Sequence, residues 1–255
     1  MSTPTSGSLY TDLSHYYDGF CHEVDYAEQA DFLARAFACF AGSGGQDYLD
    51  LACGTGQLLG QMLPKGYTVA GLDNSQPMLD ATARRCPSAE LILCDLASFD
   101  VQARYDLISC FLYSIHYSHP VAALTETLRC AFQALKPGGV FIFDTVDKGG
   151  ILERDAVTRL EQDGGHFTFR SGWRYGGSGE RMELQVAIRR EDSSGVQSWQ
   201  DHHPMAAIAI DHLRQLMTEA GFELTILARD FARLQAWDGK SYNVIMVGKK
   251  PEPLF

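Results

Sequence analysis

The chain has 255 residues, 45% hydrophobic and 21% charged, proportions that suit one packed α/β domain with insertions and exclude a disordered polymer. Lysine plus arginine number 21 against 32 acids, a formal net charge of −11, so the overall field repels phosphate backbones and anionic lipid and no nucleic-acid or membrane partner is expected. Seven cysteines without a CxxC pair, and no 18-residue apolar window, point to a reducing, cytoplasmic setting with neither export nor a membrane span.

Residues 1–8 are polar and read as a disordered leader. From 26 to 40, Phe32, Leu33, Ala36, Phe37 and Phe40 share one helical face, and GSGG at 42–45 ends that helix. Short apolar runs then alternate with helical ones. Strands are predicted near 47–52, 67–72, 90–94, 105–111 and 140–144, and helices near 57–63, 76–85 and 121–135. The last helix carries Leu124, Leu128, Ala131, Phe132 and Leu135 at steps of three and four, with Lys136-Pro137-Gly138-Gly139 as its stop. Alternation of this kind predicts a doubly wound, parallel sheet with helices on both faces.

The rhythm breaks between 150 and 206. MELQVAIRRE, 182–191, alternates Met182, Leu184, Val186 and Ile188 with mostly polar neighbours and lies between the turn clusters GGSG and EDSSG. HFTFRS and VQSWQDHH read as its partner strands, forming a small antiparallel sheet inserted in the main fold. A helix near 209–220, closed by Gly221, leads to two final strands in ELTILAR and YNVIMVG.

Chemistry enters at LDLACGTGQ, 49–57, an apolar strand that turns abruptly glycine-rich. Gly54 to Gly60 fit GxGxxxG, so a nicotinamide dinucleotide and an oxidoreductase stand as one reading, and Asp73 in AGLDNS could accept from ribose hydroxyls whichever ligand binds. Three features separate the alternatives. Asp50, at the end of the first strand, is awkward beside a pyrophosphate and suits an ammonium. Asp95 in LILCDLASF is placed to accept from an adenine amino group. No tyrosine is followed four residues later by lysine, the pair typical of many short-chain dehydrogenases. Read singly, each acid could equally cap a helix or sit in a solvated turn.

LDLACGTGQ, VAGLDNS, LILCDLASF, YDLISCF and LKPGGVFIFD, in this order and spacing, resemble the motif series of class I S-adenosylmethionine-dependent methyltransferases. Ala52 stands where that family's DxGxGxG has its first glycine. The resemblance implies a Rossmann-like, seven-stranded, mostly parallel sheet with an antiparallel last strand. It also implies S-adenosyl-L-methionine as cofactor: Asp50 and the Ala52, Gly54 and Gly56 backbone at the methionine part, Asp73 at the ribose, Asp95 and Leu96 at the adenine, and Phe111 beneath the sulfonium, with Asn74 and Met78 as further cofactor-binding candidates. That cofactor carries a sulfonium and an ammonium and no phosphate, which suits carboxylates and aromatic faces.

The segment SHYYDGFCHEVDYAEQADFL resembles the N-terminal lid of amino-sugar N,N-dimethyltransferases and, more loosely, of glycine N-methyltransferases, which implies that Tyr17 and Tyr26 face the methionine end. The implied division is a helical lid at 1–45, a cofactor-binding domain at 46–149 and 207–255, and an inserted β lid at 150–206. FLYSIHYSHP follows the fourth strand, so Tyr113, His116 and Tyr117 are expected at the acceptor, with Asp144 and His203. Tyr17, His116 and Tyr117 are the candidates for catalysis. Relatives carry a histidine at the place of Tyr117, and here the histidine is one residue earlier, so His116 as base, orienting group or neither stays open. His116, His119, His202 and His203 lack a completing carboxylate or cysteine at metal-ligand spacing, and no metal is expected. The reading is methyl transfer to a small molecule, foremost at an amine nitrogen. Oxygen or carbon methylation, RNA or protein methylation and dinucleotide-dependent oxidoreduction are the alternatives, and a homodimer is left open.

Overall fold

The structure is a computed structural model describing residues 5–6, 9–10 and 13–253. In chain order it contains β1 (Thr5–Ser6), α1 (Tyr17–Phe20), α2 (Tyr26–Phe40), β2 (Asp47–Leu51), α3 (Gln57–Met62), β3 (Thr68–Asp73), α4 (Gln76–Arg85), β4 (Glu90–Leu93), β5 (Tyr105–Cys110), α5 (Val121–Ala134), β6 (Leu135–Val146), β7 (Ala156–Gln162), β8 (Gly165–Arg174), β9 (Arg181–Asp192), β10 (Gly195–Ala206), α6 (Ile210–Glu219), β11 (Glu223–Ala228) and β12 (Asn243–Lys249). Local chemistry sets the helix starts. Asp25 accepts from the Glu28 N–H at 2.8 Å ahead of α2, and Ser75 caps α4, whose first turn holds Pro77.

Seven strands form the main sheet in the order β11-β12-β6-β5-β2-β3-β4. All run parallel except β12, which is antiparallel to both its neighbours. The period of two along each strand divides the core into two layers. Leu49 and Leu51 of β2, Ile108 of β5 and Phe141 and Phe143 of β6 bury against α5 and α6. Tyr48, Leu107 and Ile142 bury on the other side against Phe32, Leu33 and Ala36 of α2 and Leu59 of α3. The same alternation carries Asp50, Ser109 and Asp144, at the carboxyl ends of β2, β5 and β6, to the α2 side.

The second sheet has the order β1-β10-β9-β8-β7, antiparallel except for the β1–β10 pair. The strand β7 was not legible in the sequence because it is an edge strand whose side chains are mostly exposed, so no apolar alternation marks it. Helix α5 does end before Lys136, but the chain goes straight into β6 at Leu135, earlier than 140. For residues 1–4 and 7–8 the expected disorder lies outside the described residues.

The segment expected as one N-terminal lid divides into two. Leu9 and Leu13, with Tyr16, Tyr17 and Phe20, pack on Phe167, Phe169, Val186 and Ile188 of the inserted sheet, while α2 belongs to the main core. The inserted sheet and residues 9–10 and 13–20 therefore share a small core facing the carboxyl ends of the parallel strands. Among the described residues no helix is long and apolar enough to cross a membrane.

Candidate active site

Beyond β2 the chain turns through three left-handed residues, Ala52 (φ 55°), Gly54 (φ 55°) and Gly56 (φ 76°). Two of the three are glycine for different reasons. At Gly54 the left-handed φ is itself the reason, since a Cβ there would meet the Tyr17 ring only at an ordinary 3.4 Å, whereas a Cβ on Gly56 would run into Thr82 of α4 at 2.7 Å. Thr82 Oγ1 donates to the Gly54 carbonyl at 2.8 Å, and the Gly54 N–H donates to Asp73 Oδ2 at 2.9 Å. Asp73 also accepts from the Ser75 N–H at 2.9 Å, so it organises the loop from the end of β3. Its carboxyl is raised by burial, against which the Gly54, Ser75 and Asn74 N–H groups act.

Three cavities adjoin at this end of the sheet. The first, about 190 Å³, lies over β3 and β4 with Asp73, Asn74, Cys94 and Leu96 on its floor and Tyr10, Tyr117 and His203 around it. The second is bounded by Tyr26, Gln29, Asp50, Cys53, Thr55 and Phe111. The third, about 330 Å³, opens between the two sheets, with Tyr113, Arg154, Trp173, Leu184 and Met205 among its walls. Tyr17 and Ser114 border all three, and Tyr10 and Tyr117 border the first and third.

Charge is arranged unevenly around them. Asp50 is 4% exposed and accepts from Ser109 Oγ at 2.6 Å, which in turn takes a bond from the Tyr48 hydroxyl at 2.6 Å. Burial pushes its carboxyl up to about 7, although Ser109 and Tyr48 pull it down. Among the described residues no lysine, arginine or histidine pairs with Asp50 or Asp73. A buried carboxylate without a cation, beside Tyr17, Tyr26 and Phe111, is a site built for a positive ligand group.

At the junction of the first and third cavities the hydroxyls of Tyr10 and Tyr117 meet at 2.5 Å. The His203 ring lies 5.0 Å from Tyr10 and 5.7 Å from Tyr117 between centroids. Burial raises both phenols and lowers His203. His203 Nε2 is 3.0 Å from Asp201 Oδ2, an oxygen that also accepts the Leu9 N–H at 2.7 Å. Tyr10 escaped the sequence reading because it follows a polar leader with no periodic pattern. Its position is set by the inserted sheet through Asp201 and by a bond from Ser75 Oγ to its carbonyl.

Several candidates lie elsewhere than expected. His116 is 1% exposed and borders none of the three cavities. Its Nδ1 donates to the Ala206 carbonyl at 2.7 Å, and its Nε2 accepts from the Val146 N–H at 3.3 Å with Thr145 Oγ1 at 3.0 Å. That fixes the tautomer and leaves no nitrogen for an acceptor. The ring ties together Val146 and Ala206, the points where the chain leaves and rejoins the main fold, and burial drives it down to about 4. Asp144 is also fully buried, held by the Tyr113 N–H and Arg229. Met78 is core. Asp95 is exposed and accepts from the Ala97 N–H at 2.9 Å, with neighbours Cys94 and Leu96 at the cavity instead. His203 borders the first cavity and not the third.

Residues 49–139 match the family described as "Methyltransferase domain". Over 247 residues the chain is 23% identical to a protein of Geobacillus sp. (strain WCH70) assigned as a methyltransferase, covering 94% of this chain and 99% of that one. It is 26% identical over 211 residues, 80% of this chain and 86% of the relative, to the dTDP-3-amino-3,4,6-trideoxy-alpha-D-glucopyranose N,N-dimethyltransferase of Streptomyces venezuelae. The fold superposes with a TM-score of 0.82 on the sugar N-methyltransferase KedS8 from Streptoalloteichus sp. ATCC 53650, at 23% identity, covering 99% of this chain and 98% of that one. The domain match, the full-length relatives and the shared fold together support a class I S-adenosylmethionine-dependent methyltransferase, and they give no support to the dinucleotide oxidoreductase reading.

Proposed function

We propose that this methyltransferase acts on a small molecule carrying an amine, of the amino-sugar kind, and that nitrogen is the atom methylated. The observation that carries the proposal is the third cavity. Its 330 Å³ between the inserted sheet and the main fold suits a metabolite, and it meets the cofactor side at Tyr10, Tyr17, Ser114 and Tyr117. No carboxylate or histidine is among its described walls. A hydroxyl or carbon acceptor needs a base beside it, whereas a neutral amine attacks with its own lone pair. The amino-sugar relative is consistent with this reading, as are seven free cysteines with a reducing cytoplasm.

S-adenosylmethionine supplies an activated methyl group. Asp50, with Tyr26 and Gln29 beside it, holds the ammonium end. Asp73 and Asn74 take the ribose hydroxyls, and the Cys94–Leu96 backbone meets the adenine. Tyr17, Tyr10 and Tyr117 orient the acceptor nitrogen through hydroxyls that burial keeps protonated. The 9–20 segment and the inserted sheet exclude water, and alignment of this sort supplies most of the rate in such a displacement.

The test is to incubate the purified protein with methyl-labelled S-adenosylmethionine and separately with dTDP-linked amino-sugars and a fractionated cell extract. Label in the small-molecule fraction, with the labelled methyl replacing one hydrogen at nitrogen as located by tandem mass spectrometry, is the expected result. Label confined to RNA or protein overturns the proposal.

A further inference from the structure

The turn after β5 is the most strained backbone at the site. Leu112 and Tyr113 are consecutive residues with φ 59°, in the left-handed region that non-glycine residues rarely enter. Leu112 and Ser114 border both the second and third cavities, and Tyr113 borders the third. The turn therefore forms the wall between the methionine end of the cofactor and the acceptor.

Three elements hold it. The Tyr113 N–H donates to Asp144 Oδ1 at 2.8 Å, and Arg229 Nε donates to Asp144 Oδ2 at 2.8 Å. The Arg229 guanidinium lies 4.6 Å from the Tyr113 ring centre and 5.1 Å from that of Phe231, which packs on Phe111 at 5.1 Å. The Tyr113 hydroxyl donates to Asn243 Oδ1 at 3.1 Å. Asp144 lies two residues before the end of β6 at Val146, Arg229 follows β11 and Asn243 opens β12, so the three strands at one side of the sheet converge on a single residue. Asp144 is fully buried with Arg229 as its cation, and a buried carboxylate with its partner removed forces its surroundings to rearrange.

We infer that Arg229 and Asp144 are a positioning pair: they hold Leu112 and Tyr113 in the left-handed turn, and the turn sets the wall against which the cofactor's methionine end and the acceptor are aligned. The pair touches neither ligand. It acts through the backbone of Tyr113 and through the ring that Arg229 covers. The inference rests on the cofactor orientation given above.

Its test separates the two ends of the cofactor and needs no acceptor. Calorimetric titration of wild type, Arg229→Gln, Arg229→Lys and Asn243→Ala compares S-adenosylhomocysteine, which reaches the turn, with adenosine, which lacks the methionine end. Arg229→Gln is expected to weaken S-adenosylhomocysteine about tenfold and adenosine less than twofold, because only one group of contacts depends on the turn. Arg229→Lys restores a cation beside Asp144 and is expected within threefold of wild type. Asn243→Ala, which disturbs no buried charge, is expected to weaken S-adenosylhomocysteine about threefold, and it decides the matter if Arg229→Gln does not fold. Equal losses for both ligands, or none in a wild type that binds S-adenosylhomocysteine, overturn the positioning role alone. A wild type that binds adenosine but gains nothing from the methionine end overturns the orientation as well.

Discussion

Replacing Asp50 by asparagine tests the electrostatic logic of the site most directly, because shape is nearly kept and charge is removed. Burial lifts this carboxyl from 3.8 to about 7, so keeping it ionised costs the ligand-free protein about 4 kcal/mol well above pH 7, at ~1.36 kcal/mol per pH unit. The sign follows from the raised value. The contribution is present below pH 3.8 and is lost as pH rises to about 7, so ionisation of Asp50 opposes the ligand-free fold. A ligand ammonium reverses that opposition. Wild-type affinity for S-adenosylhomocysteine should therefore rise roughly tenfold from pH 6 to pH 8, as Asp50 goes from about one-tenth to about nine-tenths ionised. Asp50→Asn should lose about 1.5–3 kcal/mol of binding at pH 8, roughly ten- to 150-fold in Kd. It should also lose the pH slope and melt higher than wild type without ligand. Calorimetry at both pH values and thermal melts supply the three readings. An asparagine variant that binds within twofold of wild type at pH 8, or that keeps the slope, refutes the assignment.

His116→Ala is expected to destabilise the protein by about 2–3 kcal/mol at pH 7, because it strands the buried Val146 N–H and Ala206 carbonyl. With the wild-type ring lowered from 6.5 to about 4, its stabilisation is present above pH 6.5 and declines by about 3 kcal/mol as pH falls to 4. Urea melts at pH 7 and pH 5 should show that slope in wild type and its absence in the variant, and an unchanged slope counts against the clamp. Ala52→Gly should leave binding unaltered and change stability by no more than about 1 kcal/mol. Relief of the left-handed Ala52 (φ 55°) offsets the added freedom of the unfolded chain. A loss of 2 kcal/mol in a denaturant melt would show that the Ala52 methyl packs more than its geometry implies.

Much of this was readable in one dimension. The main sheet was legible from short apolar runs because its inner strands β2, β3, β5, β6 and β12 are buried on both faces, and the glycine loop from its glycines, whose spacing answers to backbone sterics. Tyr17, Tyr26, Asp50, Asn74, Leu96 and Phe111, which the resemblance implied, all border the cavities, and all but Tyr17 lie at or just past a carboxyl strand end or on α2, whose register the apolar pattern sets. Failures concentrate where contact depends on long-range closure. Asp144 and Asp50 look alike in sequence, an acid late in an apolar strand, yet Arg229, 85 residues away, neutralises one, while among the described residues no cation meets the other. His116 looked like a site residue because it follows a strand end, and only the return of β10 to Ala206 gives its ring a carbonyl to hold.

The sequence by itself determined the strand, left-handed turn and capped helix of the glycine loop, because local spacing dictates them in fixed succession, and the resemblance of its motif series pointed to the reaction class. The tertiary structure alone decided the acceptor side. The Tyr10–Tyr117 pair, the third cavity and the turn at Leu112–Tyr113 join residues from distant parts of the chain, Tyr10 and Met205 among them, and the packing of the inserted sheet over the strand ends brings them within reach of one another.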